Sequence, residues 1–464
     1  MEYRFVKLGA ELLYLTAPSY LEKLMQDRSF ETLSVAGFEG GKAVCLSFFS
    51  RLKGSADCYL EYIYCTPPCR GKGYAEALFG HCISVLKELG FKRLLVKKAV
   101  NPEEAERLHR MLTRHGFLPL NCSQRLMLYS LEDIQMAGLI PLILGNQDKL
   151  PQILSFKEAG EGCFRRYMEK IGRKDVTGMG IFVPYSQFFL EGDEISGAML
   201  AWAAAPSLLA ISLISLDETA KKQGVFPELL AKTLDAAEKS LGEGFSFLAN
   251  VEEKTVYDGL LQVFNPPDDE GFFLEYAMDL GNPEKEDGSM PQDGCIALTP
   301  EDVEGLPSQR EKRGMDALRD HPGVAVVLSS REFHMLSPRA CRFLSSGEDA
   351  GMHAEKCAER LRSNLEDYRA QKKKKDMAKN VKRYLLHFQK LRKELEADPS
   401  MTREKELERL KEYGREIEED IRAYRELYVS GLVKTHRRRG IKEQLKRYDL
   451  LMAGDMRFFD DPPV

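Results

Sequence analysis

The join that most constrains this chain runs from Tyr59-Leu60-Glu61-Tyr62-Ile63-Tyr64-Cys65 through Thr66-Pro67-Pro68-Cys69 into Arg70-Gly71-Lys72-Gly73-Tyr74-Ala75. The β-branched and aromatic run predicts a strand, which the two prolines end. Beyond Gly73 the apolar residues Ala77, Leu78, Ile83, Val85, Leu86 and Leu89 recur at helical spacing until Gly90 stops them. A helix that opens on glycines presents unpaired backbone N–H groups and the positive end of its dipole, and glycine lets the backbone approach a ligand closely. The stretch therefore reads as strand, anion loop and helix, with phosphate the best-suited anion. Glycine-rich turns also occur in ordinary loops, so the parts around this one carry the argument.

Those parts extend the pattern. Leu33–Phe38 and Ala43–Phe49 flank Glu39-Gly40-Gly41 as a hairpin. Arg93–Val100 follows as a strand ending at Asn101-Pro102, and a further helix closes on Met111-Leu112-Thr113-Arg114-His115-Gly116-Phe117. Arg70-Gly71-Lys72-Gly73-Tyr74-Ala75 fits Arg/Gln-x-x-Gly-x-Gly/Ala, and residues 1–131 thereby resemble the GCN5-related N-acetyltransferase (GNAT) family. The resemblance implies a strand that splays from its neighbour, a pantetheine arm lying along the backbone of Ile63, Tyr64 and Cys65, and a pyrophosphate on the amides of Arg70, Gly71, Lys72, Gly73, Tyr74 and Ala75. It adds Asn101 to the cofactor-binding set and makes acetyl-CoA the co-substrate. The amphipathic signal of Tyr20, Leu21, Leu24 and Met25 falls where the family places its acceptor side.

Acyl transfer to an amine needs a base for the amine proton, a donor for the oxyanion and a proton for the thiolate. Glu61 is the candidate base, a lone carboxylate in an apolar strand where desolvation would raise its pKa; a rim glutamate facing water is the plain alternative. The family often places its thiolate-protonating tyrosine four residues before the closing Gly-Phe, and Leu112 stands there. Tyr64 is named beside Glu61 as the catalytic pair, with Tyr62, Tyr74 and His109 as other replacements. Cys58, Cys65, Cys69 and Cys82, with His81, lack a Cys-x-x-Cys pair, and plain strand alternation puts Cys58 and Cys65 on opposite faces, so no metal is expected.

The chain is long enough for several domains, and it contains an internal repeat. Residues 181–280 replay the order of elements: strands Ile195–Ala203 and Leu209–Leu216, helix Pro227–Leu241, strand Phe245–Val251, and Glu270-Gly271-Phe272 in the place of His115-Gly116-Phe117. Aligning Gly224 with Gly73 sets Lys221 at Arg70, Gln223 at Lys72, Phe226 at Ala75 and Ser212 at Glu61. Bulk replaces an open backbone and the carboxylate is gone, so the second copy reads as degenerate, covering the first or mediating assembly.

The expected class is α/β of α+β type, with two GNAT-like mixed-sheet domains (1–131 and 132–281), a small α/β connector (290–345) and an all-α helical hairpin (350–464). Gly281–Ser289 reads as a linker, and the connector is expected to hold a helix at Pro300–Leu318 and a strand at Val324–Leu328. In the tail, Val381, Tyr384, Leu385, Phe388, Leu391 and Leu395 form one apolar stripe. Leu407, Leu410, Ile417, Ile421, Tyr424 and Tyr428 form a second, and Asp398-Pro399 breaks the two apart.

Hydrophobic residues make up 43% and charged residues 30%, enough apolar material for cores, and no apolar run is long enough to span a bilayer. With no signal-peptide pattern and ten scattered cysteines, a cytoplasmic protein with free thiols is expected. The net charge is −5, yet the chain from 346 onward is net positive. Lys372–Lys375 and His436–Arg439 have no aromatic residues interleaved, so self-association or a protein partner is preferred to nucleic acid. The leading reading is transfer of an acetyl group from acetyl-CoA to an amine. One alternative is an acyl-CoA-binding sensor or scaffold whose tail is the output. The other is an aminoacyl transferase of the peptidoglycan or tRNA-dependent kind, from which the position of the hairpin after both copies departs.

Overall fold

In the computed structural model, the described residues are 1–9, 12–13, 19–129, 153–170, 184–242, 245–264, 267, 269–281, 294–305, 336–347, 349–398, 400, 402–429, 445–455 and 457. The first half contains β1 (Glu2–Leu8), α1 (Ser19–Gln26), β2 (Phe30–Glu39), β3 (Lys42–Leu52) and β4 (Asp57–Cys65). It continues with α2 (Tyr74–Glu88), β5 (Arg93–Val100), α3 (Pro102–Arg114) and β6 (Leu118–Tyr129). The second half has β7 (Ile153–Ser155), α4 (Phe156–Ala159), α5 (Glu161–Lys170), β8 (Gln187–Glu191), β9 (Glu194–Ala205) and β10 (Leu208–Leu216). After these come α6 (Glu218–Gln223), α7 (Phe226–Leu241), β11 (Ser246–Val251), α8 (Lys254–Val263) and β12 (Asp269–Asp279). The expected hairpin and repeat strands are thus present within a few residues; β1 is an addition, and the adjacent Phe5 and Val6 break the alternation that would mark it as a strand.

The two copies do not form two sheets. One sheet carries β13-β1-β2-β3-β4-β5-β12-β6-β11-β10-β9-β8-β7 in that order, where β13 is Ile296–Leu298. The centre of this order is an exchange. β12, the last strand of the second copy, lies antiparallel to β5 of the first, and β6, the last strand of the first copy, lies antiparallel to β11 of the second. β12 and β6 also pair with each other. Each half is completed by the other, so the boundary at 131 divides the sequence without dividing the sheet. The exchange leaves no open edge at the centre, where unpaired backbone groups would otherwise be costly.

The connector is also part of this sheet. Its β13 pairs in parallel with β1, and Pro300–Asp302 forms a single 3-10 turn where a long helix was expected. The remainder of that expected helix and the strand at Val324–Leu328 lie outside the described residues, as do nearly all of the expected linker and His436–Arg439. Helix α9 (Pro338–Ser346) sets Ala340 and Phe343 against Tyr59, Leu95, Leu120 and Ala277 of the sheet.

The chain divides into two compact units, one of residues 1–131, 139–259 and 267–363, the other of 132–138, 260–266 and 364–464. Helix α10 (Ala350–Glu396) starts where the tail was expected to start and contributes to both units. In the second unit, α11 (Arg403–Glu416) and α12 (Glu418–Val429) divide the second apolar stripe, and a helical stretch at 445–453 adds to it. Leu395, Leu410, Ile417, Ile421, Tyr424, Leu445, Tyr448 and Leu451 share one core, so the tail is a small helical unit with more parts than a two-helix hairpin. No helix among the described residues is long and apolar enough to cross a membrane.

Candidate functional site

β3 and β4 pair in regular antiparallel register except at one place: Phe48 faces Tyr62 and Phe49 faces Leu60, which leaves Glu61 as an extra residue. This β-bulge resets the alternation of β4. Cys58 and Leu60 come to the same face as Ile63 and Cys65, contrary to plain alternation. Glu61 is turned to the other face, where Ser50 Oγ donates to its Oε1 at 2.6 Å. Tyr62 and Tyr64 lie on that face in the cluster that includes Leu21 and Leu24 of α1. The bulge therefore sets the Glu61 carboxylate on the same face of the sheet as the helix expected to flank the acceptor. At 5% exposure Glu61 is a buried carboxylate and not a rim residue.

The bulge also ends the pairing of β4 with β5. The strands are parallel neighbours only at Asp57↔Arg93, Cys58↔Leu94 and Tyr59↔Leu95, while β4 continues to Cys65 and β5 to Val100. From Leu60 onward the two strands are not paired, at the place where the resemblance implies a splay. Lys98 reaches into it and donates from Nζ to the Glu61 backbone carbonyl.

Beyond β4 a 3-10 turn at Pro67–Cys69 leads to the glycines. Gly71 and Gly73 have φ of 75° and 78°, the left-handed region that glycine adopts without strain. Gly73 is the N-cap of α2 and offers no side chain to the first turn, and a Cβ built on either glycine meets nothing within 4 Å. The glycines leave an open loop at the start of α2, but Arg70 N, one of the six amides expected to hold the pyrophosphate, donates to Pro67 O at 3.3 Å. The loop's flanking cations are exposed and lie along neighbouring residues: Arg70 Nε donates to Cys65 O at 3.1 Å with its guanidinium 5.6 Å from the Tyr64 ring, and Lys72 Nζ is 5.8 Å from the Tyr74 ring. The Tyr74 hydroxyl donates to Glu39, whose carboxylate pushes the phenol up to about 12. Asn101 caps α3, accepting from Glu104 N at 2.8 Å. The residues present fit a pyrophosphate on the glycine loop and an extended amide arm in the splay.

Tyr64 is buried, and Leu112 is buried with no exposure. His109 Nδ1 lies 2.7 Å from the hydroxyl of Tyr276 on the exchanged β12. Burial holds His109 below its usual range and Tyr276 well above its own. Tyr276 could not be linked to this half from the sequence, since nothing local to residue 276 announces the exchange. Among the cysteines, Cys82 meets Ser47 at 3.1 Å and Cys65 meets Cys69 O at 3.5 Å, while His81 stacks on Tyr3 with centroids 4.5 Å apart. Among the described residues no three His, Cys, Asp or Glu side chains gather as metal ligands.

The second copy keeps the bulge and changes the loop beyond it. Ser212 is the extra residue between Ile211↔Ala201 and Leu213↔Leu200, the position aligned with Glu61. Its backbone carbonyl accepts from Asn250 Nδ2 at 3.3 Å. Helix α6 occupies the loop, Asp217 caps it through Thr219 N and Ala220 N, and Lys221 is held by Glu253 at 2.8 Å. Phe226 is buried, with its ring about 3.0 Å from where a Cβ on Gly259 would sit.

Residues 11–117 match the acetyltransferase (GNAT) family. This part of the chain is a GNAT domain. No curated protein matches the chain. Among solved structures, it is similar to a tandem GNAT protein from the clavulanic acid biosynthesis pathway, at 10% identity and a TM-score of 0.40, over 60% of this chain and 99% of that one. It is similar to a probable N-acyltransferase from Enterococcus faecalis V583 at 12% identity and a TM-score of 0.32, over 60% and 73% of the two chains. A GCN5-related N-acetyltransferase from Sphaerobacter thermophilus aligns at 14% identity and a TM-score of 0.29, over 56% and 84%.

Proposed function

We propose that the GNAT domain of this tandem chain transfers an acetyl group from acetyl-CoA to an amine, with the first half as the working site and the second as its structural complement. The observation that carries this reading is the bulge at Glu61, which buries a carboxylate on the α1 side at the mouth of the β4–β5 splay, with the open cradle of Gly71 and Gly73 beyond. In the second copy the same bulge carries Ser212, and the loop beyond it carries α6, whose Lys221 is held by Glu253.

The division of labour follows from these positions. The first-turn amides of α2 hold the pyrophosphate, and the backbone of Ile63, Tyr64 and Cys65 pairs with the pantetheine arm in place of a strand. An N–H of the diverging β4 stands ready to stabilise the carbonyl oxygen as it gains charge. Glu61, steadied by Ser50, takes the amine proton directly or through one water. Residues near α1 set the choice of amine.

Calorimetric titration of the protein with acetyl-CoA, followed by thiol release in the presence of pooled amines, tests the reading. Binding and amine-dependent release are expected. Replacing Ala75 with Phe imitates Phe226 and should abolish binding; unchanged affinity in that variant would remove the site assignment.

A second reading, an acyl-CoA sensor, draws on Leu112, which puts a buried hydrocarbon where the family carries its acid. Binding without thiol release from any amine pool would favour it.

A further inference from the structure

The splay holds a cation that the mechanism above does not use. β5 carries Lys97-Lys98 two and three residues past Leu95, the last residue paired with β4. Adjacent strand residues face opposite sides of a sheet. Lys97 goes to Glu275 of β12, with Nζ 3.6 Å from Oε1 and 5.0 Å from the Phe273 ring centroid. Lys98, 7% exposed, crosses the gap and donates to the backbone carbonyl of Glu61. Its ammonium is thus held where the thioester would lie, against the residue proposed as base.

Thioester aminolysis develops negative charge at this place. The amine nitrogen forms the C–N bond and gives up its proton, and the C–S bond breaks with its electron pair going to sulfur. Leu112 has no proton to give that sulfur. A lysine ammonium has an ordinary pKa of about 10.4, close to the roughly 10 of a tyrosine phenol, so the two are comparable acids toward a thiolate. An ammonium adds what a phenol lacks, a full positive charge facing the anion.

The geometry points to Lys98 as the group that meets the departing thiolate and returns its proton. This rests on the acyl-transfer reading. Glu61 accepts one proton from the amine, Lys98 delivers one to sulfur, and exchange with water restores both residues, so the overall change is one thioester and one amine to one amide and one thiol. While no acyl donor is bound, the Glu61 carbonyl keeps the ammonium oriented.

The test uses the full-length protein and CoA itself, which needs no knowledge of the acceptor. Parent, Lys98→Met and Lys98→Arg are first titrated with CoA by calorimetry, and the thiol of bound CoA is then followed against pH by its thiolate ultraviolet absorbance. A cation facing the thiol should lower its midpoint in the parent by about 1 pH unit or more relative to free CoA. Lys98→Met should return it to the free value. Lys98→Arg should keep it low, because guanidinium preserves the charge, yet acetyl transfer should fall in both variants because guanidinium does not release its proton. The same thiol midpoint in parent and Lys98→Met, with CoA bound to both, would overturn the assignment. Loss of CoA binding in Lys98→Met would make Lys98 a binding residue and overturn it as well. A parent protein that binds no CoA would instead remove the acyl-transfer reading on which the assignment stands.

Discussion

Glu61 shows how one inserted residue changes the chemistry of a strand. Without the bulge its side chain would alternate away from Tyr64; with it, both lie on one face, and Ser50 anchors the carboxylate. Glu61→Gln should lower amine acetylation by roughly 100-fold or more while leaving acetyl-CoA affinity intact, as measured by steady-state rates and calorimetry on the same samples. Equal activity in parent and variant would exclude Glu61 as the base. A second residue-scale prediction concerns Tyr74. Its phenol is pushed up to about 12 chiefly by its hydrogen bond to Glu39, so it stays protonated to higher pH than an ordinary tyrosine. In Glu39→Gln the negative charge is gone and Tyr74 should titrate at a lower pH, detectable as an earlier step in the tyrosinate absorbance.

At the scale of elements, the exchanged strands are joined to α9 by a buried polar network. Ser337 donates to Glu275 through its backbone N at 2.8 Å and through Oγ, and Asn121 Nδ2 donates to Ser337 Oγ at 3.2 Å. Ser337 also caps α9. Ser337→Ala removes a cap and leaves the Asn121 amide short of an acceptor, so a loss of about 2 to 4 kcal/mol in denaturant-melt stability is expected.

Nearby Glu252 accepts from Asn121 at 3.4 Å and lies 4.0 Å from Arg339. Burial raises its pKa above the ordinary 4.5. Below 4.5 the group is protonated in both the folded and unfolded states. As pH rises from 4.5 through the folded-state value, the unfolded state loses its proton first, so stability falls across that window. Glu252→Gln abolishes this dependence. Its melting temperature relative to the parent should therefore rise between pH 4 and pH 7, and a difference independent of pH would refute the buried charge.

At the scale of the whole molecule, strand exchange makes the copies interdependent. A fragment of residues 1–131 lacks β12, which leaves the outer edge of β5 without a partner and β6 without either neighbour. Unpaired strands that long favour aggregation. The fragment should be insoluble alone and soluble when co-expressed with residues 132–464, as read by size-exclusion chromatography. A folded, acetyl-CoA-binding fragment would show that the exchange is dispensable. The connector adds a further dependence, since a Cβ on Gly305 would lie 2.8 Å from Pro68 Cδ at the entrance to the cradle.

Local chemistry was enough to identify the cradle and the repeat. Gly71 and Gly73 need positive φ and α2 needs an apolar face; each requirement is met by residues adjacent in the chain, so each could be read from their order. The alignment of Ser212 with Glu61 also held, because both are bulge residues. Period-two alternation could not reveal the bulge itself, since an extra residue shows only against its partner strand. The same limit applied to Lys98 at the Glu61 carbonyl, Tyr276 beside His109 and β12 between β5 and β6. These depend on which distant segments meet, and backbone pairing across the sheet settles that through hydrogen bonds that carry almost no side-chain signature.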